Sequence, residues 1–174
     1  MHILFAVLGV LAAVGFWYYR LQNAASGVKA ISEAALDIQA AARRFGFRQR
    51  ANLHPVDSIE DARTAATTLL VLVATDDGSL SVREEDAILQ QVSEVFGASK
   101  AEATELFQFS RWLSEQSKNP DDMARRLIKR TLHLGGPDTL PDLKRMVAAV
   151  GEADTGELSE NSKQIIEKIK QLAH

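Results

Sequence analysis

The chain has 174 residues, 46% of them hydrophobic and 25% charged, with ten glycines, four prolines and no cysteine. That length and composition support one helical domain with a substantial core. The missing thiols exclude disulfides, thiol catalysis and zinc–thiolate sites. The net charge of -3 hides an asymmetry: residues 20–50 carry six basic side chains against two acidic, and the remainder carries 14 basic against 21 acidic. An acidic main body argues against non-specific nucleic-acid binding, so no nucleic-acid partner is expected.

Residues 3–19, ILFAVLGVLAAVGFWYY, contain no charge, and this is about the shortest run that spans a bilayer as a helix. It closes on Phe16-Trp17-Tyr18-Tyr19-Arg20, rings and a cation of the kind that settle at a membrane interface. A cleavable signal peptide is the alternative, but that needs a cation ahead of the apolar run, and only Met1 and His2 stand there. Residues 1–20 therefore read as a transmembrane anchor. The basic excess behind it places the C-terminal side in the cytoplasm, as in a single-pass protein of the inner membrane. Gly9 and Ala13 form a small-xxx-small pair, which would suit a homodimer through this helix.

Residues 21–56 read as a basic helical stalk, because Val28, Ile31, Ala35, Ile38, Ala42 and Phe45 recur at three to four residues. Its end, Arg43-Arg44-Phe45-Gly46-Phe47-Arg48-Gln49-Arg50, interleaves cations and rings. Beside a membrane that pattern suits anionic headgroups, at about 1 kcal/mol per cation. A solvated helix end is the plainer alternative.

From residue 57 to 174 the pattern is helical throughout, and helix-start signals repeat. Ser58 with Asp61 opens a helix to about Thr75, Ser81 with Glu84 one to about Phe96, and Ser99 with Glu102 one to about Ser117. Asn119-Pro120-Asp121 starts a fourth, Thr139 with Pro141 and Asp142 a fifth, and Ser159 a sixth that runs to the C-terminus. No stretch alternates long enough for a strand. The fold class is all-α, a single-domain bundle of six helices around one core.

The third helix has two apolar faces: Ala103, Leu106, Phe107, Ser110 and Leu113 form one stripe, and Phe109 and Trp112 lie off it. Such a helix is either buried centrally or carries a partner-docking patch. The fourth helix turns Arg125, Arg126, Lys129, Arg130 and His133 outward. Those cations make either a solvated face or a site for an anion or an acidic partner.

Two segments echo each other: LLVLVATDDGSLSVREEDAILQQVSEVFG at 69–97 and MVAAVGEADTGELSENSKQIIEKIKQLAH at 146–174. Asp77 matches Asp154, Gly78 matches Gly156, and Leu80-Ser81 match Leu158-Ser159, an internal helix-loop-helix duplication. As a calcium loop the first copy fails, since Val73 and Thr75 occupy the first and third ligand positions. The second is poorer, with Asn161 or Ser162 where Glu84 would stand. A plain stop-and-start explains most of the motif: Gly78 ends one helix, and Ser81 with Glu84 caps the next. Asp76 and Asp77 are left over, because acidic groups at a helix C-terminus oppose its dipole. A divalent cation, Ca²⁺ or similar, on Asp76, Asp77, Glu84 and Asp154 stays open on that ground; no other cofactor is expected.

Asp77-Gly78-x-Leu80-Ser81-x-x-Glu84 between two apolar helices, with the second copy Asp154-Thr155-Gly156-Glu157-Leu158-Ser159, resembles the TerB-like family of tellurite-resistance domains over about residues 57–174. The second copy lacks the family's glutamate. The span followed by this domain also resembles the front of membrane-anchored J-domain co-chaperones. His54-Pro55 is followed by Val56 rather than the aspartate of a J domain, so Hsp70 stimulation is not expected. The resemblance implies a helical domain of stress-response assemblies at membranes, with metal binding proposed for it. No nucleophile–base pair or phosphate loop can be assembled from the residues, so the chain is not expected to be an enzyme. The reading is a membrane-anchored interaction module with an unidentified protein partner, and the alternative is a metal-responsive sensor.

Overall fold

The computed structural model of the chain describes residues 37–48 and 53–172. It divides into two compact units, Met1–Gln39 and Ala40–His174. The expected anchor at 1–20 lies outside the described residues, as does most of the stalk. Among the described residues no helix is long and apolar enough to cross a membrane.

Helical residues 37–44 form α1. Then follow a 3₁₀ turn at Pro55–Ser58, α2 (Ala62–Ala74), α3 (Val82–Phe96), α4 (Lys100–Ser114), α5 (Pro120–Gly135), a 3₁₀ turn at Pro137–Thr139, α6 (Leu140–Gly151) and α7 (Glu160–Leu172). No strand occurs among the described residues. Ser58 closes the first 3₁₀ turn instead of capping α2; that role falls to Asp61, whose Oδ1 accepts from the Arg63 N–H at 2.8 Å. Thr139 caps nothing either, because its hydroxyl donates to the Gly136 carbonyl at 2.6 Å. Ser81, Ser99 and Asn119 cap α3, α4 and α5 as expected.

α2 is the centre of the bundle and packs against α3, α4, α5 and α6. Of its residues, Thr64 to Val71, Val73 and Ala74 are all buried. A helix enclosed on every side cannot show an amphipathic stripe. Its small side chains let four neighbours approach, and Leu69 and Leu70 fill the centre. Three threonines share that burial. Thr68 spends its hydroxyl on the Thr64 carbonyl at 2.7 Å, whereas the hydroxyls of Thr64 and Thr67 have no partner among the described residues.

Two rings of the stretch at 43–48 are buried in the domain. Phe45 and Phe47 are 3% and 7% exposed and pack on α4. The Phe45 and Phe109 rings stack at 6.2 Å, and Phe47 meets Phe109 edge-on at 5.4 Å and Trp112 at 6.0 Å. Gly46 makes this possible. At φ 69° it ends α1 in a Schellman turn, with Gly46 N–H to Arg43 O and Phe47 N–H to Ala42 O at 2.8 Å. The reversal sends Phe47 back beside Phe45, while Arg44 stays outside and pairs with Glu105. This stretch belongs to the compact unit Ala40–His174. The two faces of α4 are explained as well: it packs on α2 and α3, and Phe45 and Phe47 cover Phe109.

Phe47→Ala is expected to lower unfolding free energy by about 3 kcal/mol in urea denaturation, as truncation of a buried ring does; a ring facing lipid would leave the domain's stability unchanged. Thr67→Val keeps the shape and removes an unpaired hydroxyl, so it should raise stability by about 1 kcal/mol in the same measurement.

Candidate functional site

Each copy of the duplication builds its loop from local hydrogen bonds. After α2, the Gly78 N–H donates to the Thr75 carbonyl at 3.1 Å, with Gly78 at φ 97°. Asp77 Oδ1 accepts from the Ser79 N–H at 3.1 Å. Ser81 and Glu84 then form a reciprocal capping box: the Glu84 N–H reaches Ser81 Oγ at 3.2 Å, and the Ser81 N–H reaches Glu84 Oε2 at 2.8 Å. After α6, the Gly156 N–H donates to the Glu152 carbonyl at 2.8 Å, with Gly156 at φ 78°. Here Thr155 Oγ1 accepts from the Glu157 N–H at 3.3 Å, the bond that Asp77 supplies in the first copy. Ser159 caps α7 through the Ser162 N–H at 3.1 Å, so Ser162 stands where Glu84 does.

This arrangement corrects part of the sequence reading. Asp77 is used by its own turn, as an Asx turn, and Glu84 is used by the cap. The extra Thr155 takes over the turn's hydrogen bond and leaves the Asp154 carboxylate without a partner among the described residues. Asp76 and Glu157 also make no side-chain hydrogen bond there.

The two loops meet. Arg83, in the first turn of α3, donates to the Asp154 carbonyl at 3.2 Å across 71 residues of sequence. Between the loops lies one open cleft of about 360 Å³, rimmed by Asp76, Asp77, Glu84, Asp154 and Glu157. At its edge Gly151 ends α6 so close to α7 that a Cβ there would sit 2.5 Å from Ser162 Oγ. The carboxyl of Asp76 is pushed above its ordinary range, first by partial burial and then by the charges of Asp77 and Asp121. All four residues expected to hold a metal therefore share one cleft. Yet no group of three or more His, Asp or Glu among the described residues is placed to hold a metal ion. Asp77 and Glu84 each spend one carboxylate oxygen on a backbone N–H, through Oδ1 and Oε2 respectively. Glu157 and Arg83 escaped the sequence reading; Glu157 stood in the quoted second loop, but nothing local marks Arg83.

The other sequence-predicted residues separate. Phe109 is 0% exposed, so it offers no surface to a partner; Trp112 beside it is half-buried and stacks on it at 5.7 Å. Arg125, Arg126, Lys129 and Arg130 gather around a second cleft, of about 480 Å³, with Asp57, Asp122 and His133. Arg126 is held there by Asp122 (Nε to Oδ2, 2.7 Å) and Asp57 (3.3 Å). Arg130 Nε donates to the Ile59 carbonyl at 2.6 Å. The hydrogen bond from Arg126 holds the Asp122 carboxyl below the usual range.

Asp76 carries a pH prediction. A carboxyl held above its ordinary value stabilises the fold while protonated, below 3.8, and that contribution is lost as pH rises through the raised value. Asp76→Asn should therefore melt higher than the parent chain near pH 7, and the difference should vanish near pH 3 in a calorimetric pH series.

Comparison with known proteins places these elements together. A family model described as Tellurite resistance protein TerB matches residues 63–174. No curated protein and no solved structure matches the chain. The matched span takes in nearly all of α2, the whole of α3 to α7 and both acidic loops. The chain thus belongs to the tellurite resistance protein TerB family.

Proposed function

We propose that the protein is a non-catalytic interaction module, anchored by residues 1–20 with its helical domain on the cytoplasmic face, in a stress-response assembly of the tellurite-resistance type. One observation carries the reading: the two loops of the duplication share a single cleft in which the Asp76, Asp154 and Glu157 carboxylates make no hydrogen bond or ion pair among the described residues. Unpartnered carboxylates on opposite walls of an open cleft favour a cationic surface on a protein partner, and they steer its approach. Val82, 77% exposed and next to Arg83, adds an apolar contact beside the rim. The anchor rests on the uncharged run 3–19 and its aromatic, basic flank. A homodimer through Gly9 and Ala13 belongs to the same reading.

A second reading, a divalent-cation sensor using Asp76, Asp77, Glu84 and Asp154, is favoured by their shared cleft. In that reading Asp77 Oδ2 and Glu84 Oε1, the oxygens not spent on the turn and the cap, would face the cation.

Charge reversal decides between them. In crosslinked membranes, Asp76→Lys with Asp154→Lys should cut recovery of the cytoplasmic partner about tenfold, a loss of about 1.4 kcal/mol, while the protein still resists alkaline extraction. Unchanged recovery would count against the module. A Ca²⁺-dependent rise in melting temperature of the full chain, lost in the same variant, would favour the sensor.

A further inference from the structure

The basic cleft plays no part in that function. Exposed cations on a helix are ordinarily solvated, and three observations set these apart. The first is concavity. Arg125, Arg126, Lys129, Arg130 and His133 lie along one side of α5, and Asp57 lines the same cleft, so the cations form one wall of an open volume of about 480 Å³. The second is the charge balance. Four permanent cations face two carboxylates in a chain whose net charge is -3. Asp57 and Asp122 are both engaged by Arg126, and Arg125 reaches Asp122 only at 3.6 Å. Lys129 and His133 have no hydrogen bond or ion pair among the described residues.

The third is orientation. Arg130 is fixed through Nε to the Ile59 carbonyl, which leaves its terminal nitrogens unspent at the cleft. A guanidinium locked at Nε is a pre-positioned fork for oxygen acceptors, and Lys129 one residue before it is a mobile point charge. A fork, a mobile ammonium and a further guanidinium lining one cleft offer several donors to the oxygens of a tetrahedral oxyanion.

We propose that this cleft binds a phosphate group, carried by an anionic lipid headgroup or free in solution. The acidic cleft is not involved. It lies at the C-terminal end of α2, whereas Arg130 is tied to Ile59 just ahead of that helix, ~20 Å away at 1.5 Å per residue.

Lys129 reports on occupancy. The full chain is acetylated briefly and the rate at each lysine is read by mass spectrometry, with exposed Lys144 as internal control. Three settings are compared: neutral micelles with potassium phosphate against potassium chloride at matched ionic strength, bilayers containing phosphatidylglycerol, and bilayers of phosphatidylcholine alone. Inorganic phosphate should slow Lys129 about tenfold at saturation and leave Lys144 unchanged if free phosphate is the source; slowing only in phosphatidylglycerol assigns the lipid headgroup. In Arg125→Glu the protective concentration should rise about tenfold. Arg125 is 59% exposed, and a melting curve matching the parent chain certifies the variant's fold. No protection beyond chloride in any setting overturns the proposal. So does equal slowing in phosphatidylcholine alone, or protection unchanged in Arg125→Glu.

Discussion

A helix buried on all sides sets the terms for the rest of the molecule. α2 has no solvated face, so its neighbours must satisfy it completely. Small residues at Ala65, Ala66 and Ala74 admit close approach, and large ones at Leu69 and Leu70 fill the centre. The arrangement has a local cost. Hydroxyls at Thr64 and Thr67 lie in the core unpaired, and an unsatisfied buried donor costs about 1–3 kcal/mol. α4 packs against α2 and, on its other side, is covered by Phe45 and Phe47, so the chain ahead of the helical repeat becomes part of the core.

The acidic cleft follows from the same packing. α2 contacts α6, α3 contacts α6, and α6 contacts α7, so the two halves of the duplication are interleaved. The loops that end α2 and α6 come together as a consequence. Each copy needs only a glycine at positive φ and a serine cap to turn the chain. Because Thr155 supplies the turn's hydrogen bond in the second copy, Asp154 keeps its carboxylate for the cleft. Duplication of a structural turn has thus produced charge that the turn does not consume.

The two clefts divide the charge of the domain. Carboxylates gather at the C-terminal end of α2, and the cations of α5 gather near its N-terminal side, where Arg130 meets Ile59. The acidic net charge matches the sign of one surface and hides the other. A partner or ligand meets one cleft or the other, and each presents a local field opposite in sign to its neighbour's.

The sequence by itself determined the helices and most of their ends. Ser81, Ser99, Asn119 and Ser159 cap through bonds that span three residues, and Gly78, Gly97 and Gly156 stop or turn the chain through their own φ angles. Interactions of that range are written in adjacent letters, and so is the repeat that carries the family resemblance. Only the tertiary structure decided that Phe45 and Phe47 are core, that Phe109 is closed to partners, and that Arg83 bridges to a loop 71 residues away. The physical reason is common to all of these: burial and convergence depend on which helix faces meet, and hydrophobic attraction carries no address in the local sequence.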